Sequence, residues 1–511
     1  MNQYYTYYFN RHSFNMAKDS TLPAIRPTGY LERYYIAQHH VNFHTKVELT
    51  ASYRVPKSLI LSQDTDGFER VLHAALAETI SHHPIMCVVL EGYGTSKPKW
   101  RRLNEINLRR LVTVVDGETS PLEWIQKEHC LSFDRIEELP LWRIVAAIRP
   151  ERGEQEQHVQ FNLGGFFFHG IADGISTAAF QLTFLDALNK LAEGNLSLSS
   201  KPLDIAAIIQ VPQQPLLPTL EMKRSLRLEP KFMLKTIFRE LIHPVADHQH
   251  WSGPVVSDSP GPVIPNFRLS SIPWPVVDKL VSRCRLEKTT ITALIVTLVA
   301  KRVAALYPDY AHFSGCVPYS LRKFTGHGPR DMGCYVSSTR VAFSSRAVAT
   351  GNRGFISCAP WEADKEEGVD DPRMWDRARE CSRHIRNAVS TRSNHTVTLL
   401  KYVADLRKYF LDMHGRERKY SFETTNIGVI DGGLGEDGLP MSPASFDKAI
   451  FTGNVSKYSG PFCLAICTVK YGLMTVALGW EQGLVGDETA EGLGTWLEAR
   501  LMSLGSKSTS T

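Results

Sequence analysis

One short stretch, Phe166-Phe167-Phe168-His169-Gly170-Ile171-Ala172-Asp173-Gly174, constrains this chain more than any other. A continuous apolar run reads as a strand and ends in a histidine. A tight turn follows, and an aspartate and a glycine open a helix over Gly174–Gly194. In that helix Ala178, Phe180, Leu182, Leu185 and Leu188 supply the apolar positions. A side chain just past a buried strand end is held rigidly and can still face a cavity. Histidine has the unperturbed pKa nearest neutrality, so His169 suits proton removal from a hydroxyl. Asp173 is too constrained by the turn to act on a substrate beside it. Its expected role is to lock the turn by pairing with a buried cation, with Gly170 and Gly174 as turn residues. The plain alternative is a structural histidine that satisfies backbone groups. Alternation along the strand puts Phe167 on the face opposite Phe166 and Phe168, mostly as core.

Mixed α/β patterning surrounds this unit. Val47–Val55 reads as a strand and Phe68–Ser81 as a helix that His83-Pro84 ends. Ile85–Leu90 reads as a buried β-rich run. Leu141–Ile148 and His158–Phe168 read as strands around a polar turn. Prolines then cluster between Leu203 and Pro265, as expected of a long connection rather than a domain. Within it, Leu220–Ile242 is basic and partly amphipathic, broken at Pro230. It reads as a solvated connector helix, with weak membrane-surface association as the second reading. The α/β pattern restarts at Phe267–Ile272. Helices follow over Pro275–Cys284 and Thr290–Leu306, with a threonine placed to cap the second. Strands follow at His312–Pro318 and Ile427–Ile430, then a hairpin of Pro461–Val469 with Met474–Trp480, and a closing helix at Asp487–Leu504. The expected division is a disordered leader at 1–22, an α/β domain at 23–203, a crossover at 204–265 and a second α/β domain at 266–511. Met16 is an alternative start to Met1.

Composition excludes several function classes. Of 511 residues, 43% are apolar and 22% charged, which supports a sizeable core. A net charge of +5, without a dense Lys/Arg tract, argues against nucleic acid and suits mild attraction of an anionic cosubstrate. Nine scattered cysteines, with no CxxC pair, point to reduced thiols and a cytoplasmic setting rather than disulfides or zinc. His39-His40 and His82-His83 are adjacent pairs whose side chains diverge, so no metal is expected. No GxSxG elbow supports a serine hydrolase. No apolar run reaches the roughly 20 residues of a membrane-spanning helix.

The chain resembles the fungal alcohol O-acetyltransferases, within the superfamily of chloramphenicol acetyltransferase-like enzymes, plant BAHD acyltransferases and peptide-synthetase condensation domains. The resemblance runs through Arg26-Pro27-Thr28-Gly29-Tyr30-Leu31-Glu32-Arg33-Tyr34, Gln38-His39-His40 and Phe43. It continues through His83-Pro84-Ile85 and Pro140-Leu141-Trp142-Arg143 to His169 and Asp173 at the HxxxD positions. The second half matches more loosely, at Thr289-Thr290-Ile291-Thr292, Pro318-Tyr319-Ser320-Leu321-Arg322, Gly333-Cys334-Tyr335 and Thr425-Asn426-Ile427-Gly428.

The resemblance implies an α/β fold of two chloramphenicol-acetyltransferase-like domains with a tunnel at their interface. It implies acyl transfer, acetyl first, from coenzyme A to the hydroxyl of an alcohol or secondary metabolite. His169 would be the general base, with no covalent acyl-enzyme. Acetyl-CoA would be a cosubstrate, no cofactor would be bound permanently, and the chain would act as a monomer. Arg322 is the implied structural partner of Asp173. Asn426 and Ser456 are candidates for the oxyanion donor, because their segments could face His169 across the tunnel. N-acylation of an amine, or transfer from a carrier-protein thioester, is the alternative. Against the carrier reading, Phe168 stands where condensation domains place a first histidine; the chain also departs from the plant BAHD pattern, since no DFGWG segment is present.

Overall fold

The computed structural model describes residues 24–43, 46–60, 65–149, 157–223, 226–237, 247–258, 263–346, 354–358, 371–453 and 455–506. The expected leader, most of the polar turn after Ile148 and the end of the Leu220–Ile242 piece lie outside them.

The first lobe is built on a five-stranded sheet. Its order is Ser445–Thr452, Lys46–Pro56, His158–Phe168, Trp142–Ile148 and Val112–Asp116. The apolar His158–Phe168 strand is central because it has a partner on each side. Lys46 stands opposite Phe168 and Pro56 opposite His158. On the other side Trp142 stands opposite Phe167. Backbone pairing on both edges holds the strand end rigid up to the residue before His169. The triple phenylalanine alternates as a strand must. Phe166 packs edge-on to Trp124 of the Pro121–Cys130 helix, with centroids 6.1 Å apart, while Phe167 meets Phe180 of the Gly174–Ala192 helix at 5.2 Å. Helices Thr65–His82 and Gly174–Ala192 cover one face, and their apolar stripes join the sheet in one core.

The second lobe carries a seven-stranded sheet, in the order Pro265–Pro273, Leu473–Glu481, Phe462–Val469, Phe422–Ile430, His312–Ser320, Val336–Ser344 and Phe355–Ser357. Helix Ile291–Leu306 packs on one face with Phe313, Phe422 and Phe462 in a separate core. Thr290 caps it, its hydroxyl accepting from the Ala293 amide at 3.2 Å. The other face of this sheet looks toward the first lobe: Ile427 joins the first lobe's core, one strand position out of phase with Phe422.

Three expectations need correction. The Ser445–Thr452 strand lies inside the expected 266–511 domain, yet it pairs antiparallel with Lys46–Pro56 and completes the first lobe's sheet. The crossover itself is tied down at several points. Ile208–Gln210 pairs with Glu105–Asn107, the Tyr335 hydroxyl donates to the Pro218 carbonyl at 2.6 Å, and Val211, Leu216 and Leu220 are buried. Pro230 begins the Pro230–Ile237 helix instead of breaking one, because its missing N–H costs nothing at a first helical position. Within Ile85–Leu90, proline drives a 3-10 turn at Pro84–Cys87 before the strand Val88–Glu91.

Candidate active site

His169 follows the last residue of the central strand. The residue is only partly buried, and its Nδ1 lies on the buried side. Burial lowers the imidazole pKa. The His169 and Ala172 carbonyls and the Asp173 charge offset part of that loss. A neutral ring at physiological pH is a base ready to accept a proton. Tyr35, from the Tyr30–His40 helix, stacks on it at 3.8 Å with the planes 7° apart.

Asp173 is the N-cap of the Gly174–Ala192 helix. Its Oδ1 accepts from the Ser176 amide at 3.0 Å and the Ser176 hydroxyl at 2.9 Å. Across the lobe boundary, Arg322 donates Nη1 to Oδ2 at 2.7 Å and Nη2 to Oδ1 at 2.9 Å. The Tyr335 amide donates to Oδ2 at 3.0 Å. Burial alone would raise this carboxyl, but the charge and hydrogen bonds of Arg322 win and hold it below the usual range. Asp173 is thus fully occupied as a frame for the turn. Gly174 lets the lobes close on that frame. A Cβ there would lie 2.6 Å from Ile427 Cγ2 and 3.1 Å from the Phe451 ring.

Tyr34, Tyr35, His169, Tyr420, Glu423 and Tyr458 each keep some accessible surface, while burial dominates the titration of each. These side chains come from both halves of the chain. Tyr34 and Tyr458 share a hydrogen bond of 2.5 Å between the two lobes, and Gln38 Nε2 also donates to the Tyr458 hydroxyl.

Asn426 and Ser456 do not take the places expected of them. Asn426 shares its strand face with Phe422, toward helix Ile291–Leu306. Its Nδ2 donates to Thr292 Oγ1 at 3.0 Å, and its Oδ1 accepts from the Gly428 amide at 2.8 Å. The opposite face, carrying Glu423, Thr425 and Ile427, looks at the first lobe. The expectation misses by one residue, which on a strand means the wrong side of the sheet. Ser456 is buried. Among the described residues its hydroxyl meets the Tyr458 amide at a long 3.5 Å, and its carbonyl accepts from Arg418. From that segment Tyr458, not Ser456, reaches the interlobe wall. Sequence reasoning placed the Tyr458 segment near His169 but missed Tyr35 and Glu423. The available signal was the spacing of Tyr34 and Gln38, four apart on one helix face.

Among the described residues no group of three His, Cys, Asp or Glu side chains could hold a metal, and all nine cysteines are free. Among them, too, no single helix is long and apolar enough to cross a membrane.

Two α/β lobes, an HxxxDG turn at their boundary and an arginine from the second lobe on its aspartate define the two-lobed chloramphenicol-acetyltransferase-like fold. The trichothecene 15-O-acetyltransferase TRI3 of Fusarium sporotrichioides superimposes with a TM-score of 0.63 at 11% identity, covering 94% of each chain. The condensation domain of the monacolin K polyketide synthase MokA gives 0.56 at 13%, covering 95% of this chain and 98% of that one. In sequence the chain is similar to probable alcohol acetyltransferases of two fungi. It is 23% identical to FCK4 of Fusarium pseudograminearum over 496 residues, 94% of this chain and 96% of that protein. It is 23% identical to crmB of Aspergillus fumigatus over 489 residues, 90% and 95% of the two. No protein-family model matches the chain.

Proposed function

We propose that this chain transfers an acyl group, acetyl in the first instance, from coenzyme A to a hydroxyl, with His169 as general base. The observation that carries the reading is His169 itself: neutral, partly accessible between the lobes, and set on a turn framed by Asp173 and Arg322. Nε2 takes the acceptor's hydroxyl proton as the oxygen attacks the thioester carbonyl. The tetrahedral oxyanion then collapses, the carbon–sulfur bond breaks, and the proton passes to the departing thiolate. Ester and free coenzyme A leave, and no acyl group rests on the protein. Two small substrates suffice and no resident cofactor is needed. The names of the two similar fungal proteins support acyl transfer to an alcohol. A structural neighbour, the starter condensation domain of rhizomide synthetase RzmA, was crystallised with C8-CoA, which supports a coenzyme-A-linked donor in such a fold.

The test is thiol release from acetyl-CoA with a panel of alcohols and amines, comparing wild type with His169→Ala. Release that depends on an alcohol and falls by about 10²–10⁴ in a folded His169→Ala protein is the expected result. Release with amines only makes the protein an N-acyltransferase. Release only from a carrier-bound thioester moves it to condensation-type donors.

A further inference from the structure

Asp173 does not orient the ring of His169, because its two oxygens already accept from Arg322, Ser176 and the Tyr335 amide. The His169 and Ala172 carbonyls act on the imidazole from its edge. Hydrogen-bond angles at a carbonyl are broad, so a contact at one edge leaves a ring free to tilt. Tyr35 sets the plane instead, since its ring lies 3.8 Å away and within 7° of parallel. A stack by itself is a weak restraint. The imidazole is therefore only as fixed as the helix that brings Tyr35 to it.

That helix, Tyr30–His40, touches both lobes. Tyr35 and His39 are four apart and share a face. They lean on the end of the central strand, Tyr35 on His169 and His39 edge-on to Phe168 at 5.5 Å. Tyr34 and Gln38, also four apart, reach the second lobe. Tyr34 shares a hydrogen bond with the Tyr458 hydroxyl and Gln38 Nε2 donates to it, both at 2.5 Å. Tyr34 also packs edge-on to Phe410 at 5.0 Å. We propose that Tyr458 is a positioning residue: it holds Tyr34 and Gln38, thereby fixes the helix, and through Tyr35 sets the plane of His169. The second lobe thus aligns a base that the first lobe carries. The inference rests on the acyl-transfer reading and names a part the second lobe plays in it.

Tyr458 packs against Phe43 and Phe410, with centroids 6.0 and 5.5 Å away. Tyr458→Phe keeps those contacts and removes only the hydroxyl. A tilted base loses rate rather than substrate binding. Tyr458→Phe is expected to lower kcat at least tenfold, with KM for acetyl-CoA and for the alcohol within threefold of wild type. Tyr35→Leu should do the same, whereas Tyr35→Phe keeps the ring and should stay within threefold in both. Proton NMR of the histidine rings needs no turnover, with His169 assigned by its loss in His169→Ala. Face-on to Tyr35, the His169 ring protons should be shifted upfield in the wild type, and less so in Tyr458→Phe. A wild-type His169 signal at the position of an exposed histidine overturns the proposal, whether or not the variants fold. A tenfold fall in Tyr35→Phe also overturns it, by assigning the role to the hydroxyl. Wild-type kcat in folded Tyr458→Phe or Tyr35→Leu sinks this inference and leaves the acyl-transfer reading standing. An upfield signal that Tyr458→Phe reduces, with no acyl transfer to any acceptor, does the reverse.

Discussion

Arg322 and Asp173 meet across the lobe boundary as a two-pronged ion pair, with contacts of 2.7 and 2.9 Å between side chains that are both nearly inaccessible. One partner belongs to the first lobe's HxxxDG turn and the other to the second lobe's Ser-Leu-Arg segment. The pair therefore ties the catalytic turn to the lobe that closes over it. Arg322→Ala leaves the Asp173 charge buried and uncompensated, which costs about 3–5 kcal/mol. Denaturant unfolding should register that loss along with loss of activity. Because the Asp173 pKa is depressed in the folded state, its stabilisation is present above the ordinary carboxylate range. It is lost as pH falls through the lowered value. The wild type should therefore lose stability on acidification more steeply than Asp173→Asn.

Gly174→Ala tests the closeness of the lobes. Its new methyl group would meet Ile427 Cγ2 at 2.6 Å, well inside contact distance. Overpacking of this kind costs about 1–3 kcal/mol. Adding Ile427→Ala should return part of the loss in thermal or chemical unfolding. A Gly174→Ala protein as stable as wild type would count against the tight lobe contact.

Glu48 sits at the seam where Ser445–Thr452 joins the first sheet. It is fully buried, and Thr50 and Thr452 both donate to it. Burial pushes its pKa up to about 8, although those hydroxyls pull the other way. An acid whose pKa is raised in the folded state contributes its full stability below the unfolded value and loses it as pH climbs toward the folded value. A tenfold change in the acid's dissociation constant between the folded and unfolded protein is worth about 1.4 kcal/mol. Glu48→Gln should therefore match the wild type near pH 4 and be more stable near pH 9, by a few kcal/mol, in urea melts at the two values.

The base should show its burial in kinetics. With the His169 pKa lowered, kcat/KM should rise with pH through an apparent pKa below the ordinary histidine value of about 6.5 and then level off. A limb centred well above that value would mean that another group limits the reaction.

Asn426→Ala separates the two faces of its strand. Removing an oxyanion donor costs about 10²–10³ in turnover. Asn426 instead braces Thr292 and the Gly428 amide, so the expected result is a stability loss of about 1 kcal/mol with turnover within tenfold of wild type.

The central strand, the HxxxDG turn and the helix after it were legible because their signals are local. Phe166–Phe168 is too apolar to be exposed, Asp173 is well placed to cap, and the helical stripe from Ala178 to Leu188 needs a sheet to cover. Thr290 announced its helix in the same way. Arg322 came through the resemblance rather than through spacing, since nothing local connects it to a turn 149 residues earlier. The Ser445–Thr452 strand was not legible, because its pairing partner lies in the other half of the chain. Asn426 was misplaced because the strand's phase was unknown. A period of two makes a one-residue error a change of face.

The sequence by itself determined many of the strands and helices, and it determined that a histidine would end a buried strand, because short-range sterics, capping and hydrophobic periodicity act within a few residues. Only the tertiary structure decided what stands opposite that histidine. Tyr35 on its ring comes from a segment hundreds of residues from Glu423 and Tyr458, and their meeting depends on how two lobes pack and on which face each strand turns inward.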